Sequence, residues 1–250
     1  MKILRAGKNG QAFYAQLVGE TVKQISGMPY GGISYTGDEF CLSEVEILTP
    51  SEPKNIVAVG LNYVAHAGEM KEKMNETPII FLKAATSALA DGGAIVYPAA
   101  PKRVDYEAEL CAVIGKQCKN ITAQQAEDVV FGYTALNDVT ARDLQKVDGQ
   151  WARAKSFDTF CPFGPYIDTQ YSPKGKRVQS ILNGEPKQDG NTDDMRFNAF
   201  ELISFISSFM TLSPGDIIAT GTPAGIGPMQ KGDTIEIRIE GLAPLINTVK

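Results

Sequence analysis

Histidine is almost missing from this chain. His66 is the only imidazole in 250 residues. The usual catalytic zinc sites of two or three histidines are therefore excluded within one subunit. Any metal has to be held mainly by oxygen, and any histidine base has to be His66. Cysteine is sparse and scattered. Cys41, Cys111, Cys118 and Cys161 form no Cys-x-x-Cys pair, which argues against a zinc ribbon and against a disulfide scaffold. Basic charge is in deficit, with 24 Lys and Arg against 29 Asp and Glu, net −5. A nucleic-acid binder would usually show the opposite balance. Long apolar runs are also absent. The longest, residues 56–67 and 200–212, contain polar residues and are too short for a bilayer. The amino terminus lacks the apolar core of a signal peptide. These absences predict a cytoplasmic protein with neither nucleic acid nor membrane as partner. Three familiar motifs fail as well. There is no Gly-x-Ser-x-Gly elbow. The stretch 149–156 has Ala154 where a phosphate loop needs its second glycine, and the glycines of 221–227 have the wrong spacing for a dinucleotide fingerprint.

What remains is ordinary globular composition, 43% hydrophobic and 21% charged. Residues 1–50 read as short strands with glycine punctuation (12–18, 22–25, 45–48), a small β-rich amino-terminal unit. Pro50-Ser-Glu-Pro53 reads as a linker, and residues 54–250 as the main domain. In that domain strands are expected at 55–60, 78–82, 106–115, 131–139, 216–219 and 234–239. A helix is expected at 62–70. Another is capped by Thr122 with Gln125, with Gly132 just past its end. The apolar residues Phe200, Leu202, Ile203, Phe205, Ile206, Phe209 and Met210 recur at helical spacing and read as core. Strands outnumber helices without βαβ alternation, so the predicted class is α+β and β-rich.

Candidate chemistry sits on a few segments. In 104–115, Glu107 and Glu109 fall on one strand face with alpha carbons ~6.8 Å apart. Two like charges there repel, so the pair needs either a solvated edge or a cation. The pattern alone favours the solvated edge. Asp138 follows at a strand end, with Thr140 and Asp143 reading as a helix start. It is either a ligand or a capping residue. Together Glu107, Glu109 and Asp138 offer hard anionic oxygens suited to magnesium, manganese or calcium. His66 and Glu69, three apart on a helix, make either an oriented base for water or a surface ion pair. Lys155 follows Trp151, and the turn 220–225 offers amides and hydroxyls to a carboxylate. Residues 71–76 read as a lid or a plain surface loop.

Taken in order, these segments resemble the fumarylacetoacetate hydrolase family. The likeness runs from about Ile56 to Val249. Val59-Gly-Leu-Asn-Tyr63 with His66 and Glu69 resembles the family's opening, and Val104-Asp-Tyr-Glu-Ala-Glu-Leu110 its metal strand. Asn137 to Asp143, Lys155 to Pro162, Pro214-Gly-Asp216 with Thr220-Gly-Thr-Pro223, and Gly232-Asp233 complete the order. The beginning of the chain resembles the small amino-terminal domain that some members carry. The resemblance implies a mixed β-sandwich roll and a homodimer. It implies a divalent metal on Glu107, Glu109 and Asp138, magnesium or manganese with calcium as a further candidate. It implies that Arg142, Gln145, Lys155 and Thr222 face a small 2-oxo acid, with His66, Glu69 and Lys155 as the catalytic set. The expected reaction runs through a metal-stabilised enolate. Carbon–carbon hydrolysis of an acylpyruvate or decarboxylation of oxaloacetate comes first. Oxaloacetate enol–keto tautomerisation and 2-hydroxyhepta-2,4-diene-1,7-dioate isomerisation or decarboxylation are the alternatives. A non-catalytic carboxylate-binding protein is the alternative from another class.

Overall fold

The structure is a computed structural model. It describes residues 1–70 and 75–250, with the side chains of His66, Ala67 and Met70 outside that description. The expected lid thus falls largely on residues outside the described ones.

The chain opens with β1 (Lys2–Lys8), β2 (Gln11–Val18), β3 (Thr21–Ile25), β4 (Tyr35–Cys41) and β5 (Glu46–Leu48). Asn9 and Gly10 both take positive φ between β1 and β2, the left-handed pair that a two-residue hairpin turn requires. Next come β6 (Ile56–Gly60), α1 (Val64–Met70), β7 (Ile79–Lys83), β8 (Ala88–Leu89), β9 (Ala94–Ile95), β10 (Val104–Tyr106) and β11 (Ala108–Ile114). Then follow α2 (Ala123–Ala126), β12 (Val130–Asn137), β13 (Thr140–Ala141), α3 (Arg142–Asp148), α4 (Ala152–Lys155) and β14 (Cys161–Asp168). The last part holds β15 (Arg177–Leu182), β16 (Glu185–Asn191), α5 (Ala199–Phe209), β17 (Ile217–Ala219), β18 (Gly227–Pro228), β19 (Thr234–Ile239) and β20 (Leu245–Val249). The fold is β-rich α+β, as expected.

A twelve-stranded sheet runs in the order β4-β3-β2-β1-β14-β12-β11-β17-β6-β7, with β5 on β1 and β8 on β14. A five-stranded sheet, β16-β15-β19-β20-β9, and a short one, β13-β10-β18, complete it. The amino-terminal strands extend the large sheet directly, because Lys2 and Ile3 pair with Asp168 and Ile167. The connection at 50–53 is packed, and Ser51 Oγ donates to the Gly215 carbonyl at 3.0 Å.

Strand β11 lies inside the large sheet between β12 and β17, and all seven of its residues are buried. The solvated edge favoured by pattern is therefore wrong: both faces of this strand are covered. Leu110, Ala112 and Ile114 join the main core with Leu202, Ile203 and Ile206 of α5. Cys111 and Val113 pack on the opposite face with Phe163 and Ile217. Helix α5 starts at Asn198, whose side chain caps it in a reciprocal pair with Glu201. The expected aromatic stripe is only partly core, since Phe209 is 53% exposed. The Thr122–Gln125 capping box forms as read. Gly132, however, closes no helix. It lies in β12 against β14, where a Cβ would come 2.4 Å from the Asp168 carbonyl oxygen. Close backbone approach, not a helix cap, requires glycine there.

Candidate active site and metal centre

Glu107 occupies a break between β10 and β11 rather than a place within one strand. The interruption frees two backbone amides from the ladder. Asn137 Oδ1 accepts from the Glu107 amide and Gln188 Oε1 accepts from the Ala108 amide, both at 2.9 Å. The Asp138 amide donates to the Glu107 carbonyl, also at 2.9 Å, so the end of β12 is tied to the break. Buried amides need such partners, and here two buried side chains supply them.

The break turns Glu107 toward Glu109 and Asp138. Ligand oxygens of all three acids lie within 4.8 Å of one another, and all three residues are buried. Donors around them are specific. Arg142, at the start of α3, places Nη2 on Glu107 Oε1 and Nε on Asp105 Oδ2 at 2.9 Å. The Gly221 amide donates to Glu109 Oε2 at 2.7 Å. Lys83, closing β7, donates to Asp138 Oδ1 at 2.5 Å and to the Val139 carbonyl at 3.3 Å. Lys155, closing α4, donates to Glu107 Oε2 at 2.8 Å and to Asp138 Oδ2 at 2.6 Å. Its ammonium also lies 4.9 Å from the centre of the Phe81 ring.

Electrostatics follow from this packing. Four buried carboxylates, counting Asp105, face the buried cations Lys83, Arg142 and Lys155. Burial, with the fields of Asp138 and Glu107, pushes the Glu109 carboxyl well above the usual carboxylate range. Burial pulls Lys155 down, but Asp138 and Glu107 more than restore it, so it stays above the ordinary lysine value. Carboxylates of like charge crowded in a low-dielectric cluster, made of hard oxygen donors, are the setting that a divalent cation relieves. The donor set fits magnesium, manganese or calcium and does not fit a soft metal.

The other predicted residues have definite places. Arg142 was expected to face a ligand, and its Nη1 donates to Gln145 Oε1 at 2.7 Å while Nε and Nη2 serve Asp105 and Glu107. Thr222 donates its hydroxyl to the Ala108 carbonyl at 2.9 Å and accepts from Gln188 Nε2 at 2.7 Å. The turn at 220–225 does receive carboxylates, those of the chain's own Glu109, on the Gly221 amide, and Glu69, on the Gly225 amide. Glu69 accepts from the Gly225 amide at 3.2 and 3.3 Å. His66 falls on α1, three residues before Glu69. Thr140 is not a helix cap: its hydroxyl donates to the Asp138 carbonyl at 2.8 Å, and the Asp143 carboxylate accepts from the Lys102 amide at 2.9 Å. Lys155 is buried.

Lys83, Asp105, Asn137 and Gln188 escaped the sequence reading of the site. For Lys83 there was a signal: a lysine directly closing the apolar run Ile79-Ile-Phe-Leu. Gln188 carried none, because it arrives from β16, far along the chain.

A family model described as fumarylacetoacetate (FAA) hydrolase C-terminal matches residues 55–250, and one described as Rv2993c-like, N-terminal, matches residues 1–50. The chain is 42% identical over 220 residues to the mitochondrial oxaloacetate tautomerase FAHD2A of Homo sapiens, covering 83% of this chain and 70% of that one. Among solved structures it is similar to 2-hydroxyhepta-2,4-diene-1,7-dioate isomerase from Mycobacterium marinum, with TM-score 0.93 and 40% identity over 100% of this chain and 98% of the other. It is also similar to fumarylpyruvate hydrolase from Pseudomonas aeruginosa in complex with Mn2+ and pyruvate, with TM-score 0.75 and 33% identity over 80% and 90% of the two chains.

Proposed function

Because this chain belongs to the fumarylacetoacetate hydrolase family, we propose that it is a divalent-metal-dependent enzyme of 2-oxo acids whose first reaction is enol–keto conversion of oxaloacetate. The observation that carries this reading is the buried convergence of Glu107, Glu109 and Asp138 with the Lys155 ammonium on two of them. Magnesium or manganese suits the carboxylate set best, with calcium as a further candidate. When bound, the cation supplies Lewis-acid charge to the 2-oxygen and adjacent carboxylate of the substrate.

The remaining steps belong to the chain. Lys155 carries a proton that it can share with the 2-oxygen as negative charge develops there. Giving that proton to C3 of the enol would leave a neutral amine, which can take up the proton that the enol hydroxyl gives away, so the group ends as it began and one residue serves both directions. Arg142 aims Glu107 by bonding its Oε1, and Gln145 fixes the far side of that guanidinium. Thr222 and Gln188 hold the Ala108 backbone beside the acids. The tautomerase and isomerase names among the more similar relatives support proton transfer over bond cleavage. A homodimer and a cytoplasmic location go with this proposal, and sedimentation velocity tests the first.

A second reading, carbon–carbon hydrolysis of an acylpyruvate, is favoured by the His66-x-x-Glu69 spacing on α1 and by the fumarylpyruvate hydrolase likeness. There His66, oriented by Glu69, would take a proton from attacking water. Oxaloacetate decarboxylation would use the same enolate. A substrate panel separates them: enol-oxaloacetate, oxaloacetate, acetylpyruvate and fumarylpyruvate with Mn2+. The proposal expects enzyme-dependent loss of enol absorbance without pyruvate or carbon dioxide. Pyruvate release that falls by about 10²- to 10⁴-fold in His66→Ala would move the protein to the hydrolase reading.

A further inference from the structure

Each of the three acids has one oxygen held by a donor built into the scaffold. Arg142 holds Glu107 Oε1, the Gly221 amide holds Glu109 Oε2, and Lys83 holds Asp138 Oδ1 while also bonding the Val139 backbone. Lys155 differs from these donors. It bonds the second oxygen of Glu107 and the second oxygen of Asp138 together, bridging two members of the triad. It is carried by α4, only four residues long, with no side-chain cap at its start. An ammonium between two oxygens of a would-be cation site does part of that cation's work. It supplies positive charge and hydrogen bonds where three acids repel.

A divalent ion on those oxygens cannot share the place with an ammonium, because like charges at contact distance in a buried site repel strongly. We propose that Lys155 is a place-holder for the cation: it seals the triad in the metal-free protein and is displaced from Glu107 and Asp138 when metal enters. This inference rests on the metal-dependent reading above. Lys83 bonds the same Asp138 but on the other oxygen, and is a positioning residue that stays in place.

The two lysines therefore have opposite effects on metal affinity. Without Lys155, nothing has to be displaced, and metal binds more tightly. Without Lys83, Asp138 loses the donor that fixes its rotation, and metal binds more weakly although a positive charge has gone. General electrostatics would tighten binding in both cases.

The test uses the full chain without substrate. Mn2+ binding is measured by calorimetry for wild type, Lys155→Met and Lys83→Met. In wild type, acylation of each lysine amine is followed by mass spectrometry with and without Mn2+. Lys155→Met should bind Mn2+ about tenfold more tightly, the order expected on lifting a buried like charge, and Lys83→Met more weakly than wild type. Mn2+ should raise acylation of Lys155 and leave that of Lys83 unchanged. Lys155→Met binding no tighter than wild type, both variants tightening alike, or Lys155 acylation unmoved by Mn2+ would each overturn the inference. If a variant does not fold, the wild-type acylation decides. Wild type that binds no Mn2+ at all would instead sink the metal-dependent reading itself.

Discussion

Asn137 accepts the backbone N–H of Glu107 on its side-chain oxygen at 2.9 Å, across the break that aims Glu107 at its two fellow acids. Gln188 does the same for Ala108 from another sheet. Two buried amide side chains thus replace the ladder bonds that a continuous strand would have made. Asn137→Ala should leave a buried N–H without a partner, a loss of about 1–3 kcal/mol. For a chain of this size each kcal/mol corresponds to about 2–4 °C in Tm. Differential scanning calorimetry should show that fall, and Mn2+ affinity should drop with it. A Tm and affinity equal to wild type would mean the break holds itself open.

Gly225 has φ +99°, and a Cβ there would lie 2.3 Å from the Lys187 carbonyl oxygen. Its amide also donates to Glu69, and its carbonyl accepts from the Tyr106 hydroxyl at 3.1 Å. Gly225→Ala should shift this loop, cost about 1–3 kcal/mol, and release Glu69 from its anchor. Turnover should fall while Mn2+ affinity changes little, because the triad does not touch Gly225. Parallel loss of metal binding would show that the loop and triad move together.

Sequence periodicity is enough to place β11, β12 and α5, since each lies in a strongly patterned segment. It failed where burial is set by distant chain. Glu107 and Glu109 look like a polar strand face, and only the strands on either side of β11 make that face interior. Lys155 and Lys83 look like surface lysines until the acids that neutralise them are brought up from residues 107 and 138. Arg142 pairs with Asp105 across 37 residues, a link that no local rule makes. The resemblance to a family supplied the metal set, which spacing alone left open between a cation and solvent.

Thiol chemistry gives a pH test of the packing. The Ser43 hydroxyl, followed by its backbone amide, lowers the pKa of the exposed Cys41. Burial raises Cys111 and Cys118, and Cys161 is pushed up to about 12. The thiolate is the reactive form, so a lowered value means reaction at lower pH. A chromogenic disulfide should label Cys41 rapidly, with its half-maximal rate below the ordinary cysteine value of about 8.5. The other three should react only on unfolding. A second fast thiol in the folded protein would contradict the burial of Cys111 in β11, of Cys161 in β14 or of Cys118 in the segment after β11.

Direct evidence on the triad should come from its own substitutions. Asp138→Ala and Glu109→Ala each remove one of three charged donors, and both should weaken Mn2+ binding by about tenfold or more. Chelation should abolish turnover in wild type, and added Mn2+ or Mg2+ should restore it. Full turnover in chelated protein would remove the metal from the reaction.

Oxalate binding measured by calorimetry with and without Mn2+ is the most direct test of the central claim. Oxalate presents two adjacent oxygens, as the enolate of a 2-oxo acid does. If Glu107, Glu109 and Asp138 hold a cation that the substrate chelates, oxalate should bind the Mn2+-loaded protein and compete with oxaloacetate. The metal-free protein, with those acids facing the ligand, should not bind it measurably. Equal oxalate affinity in the two forms would contradict the account.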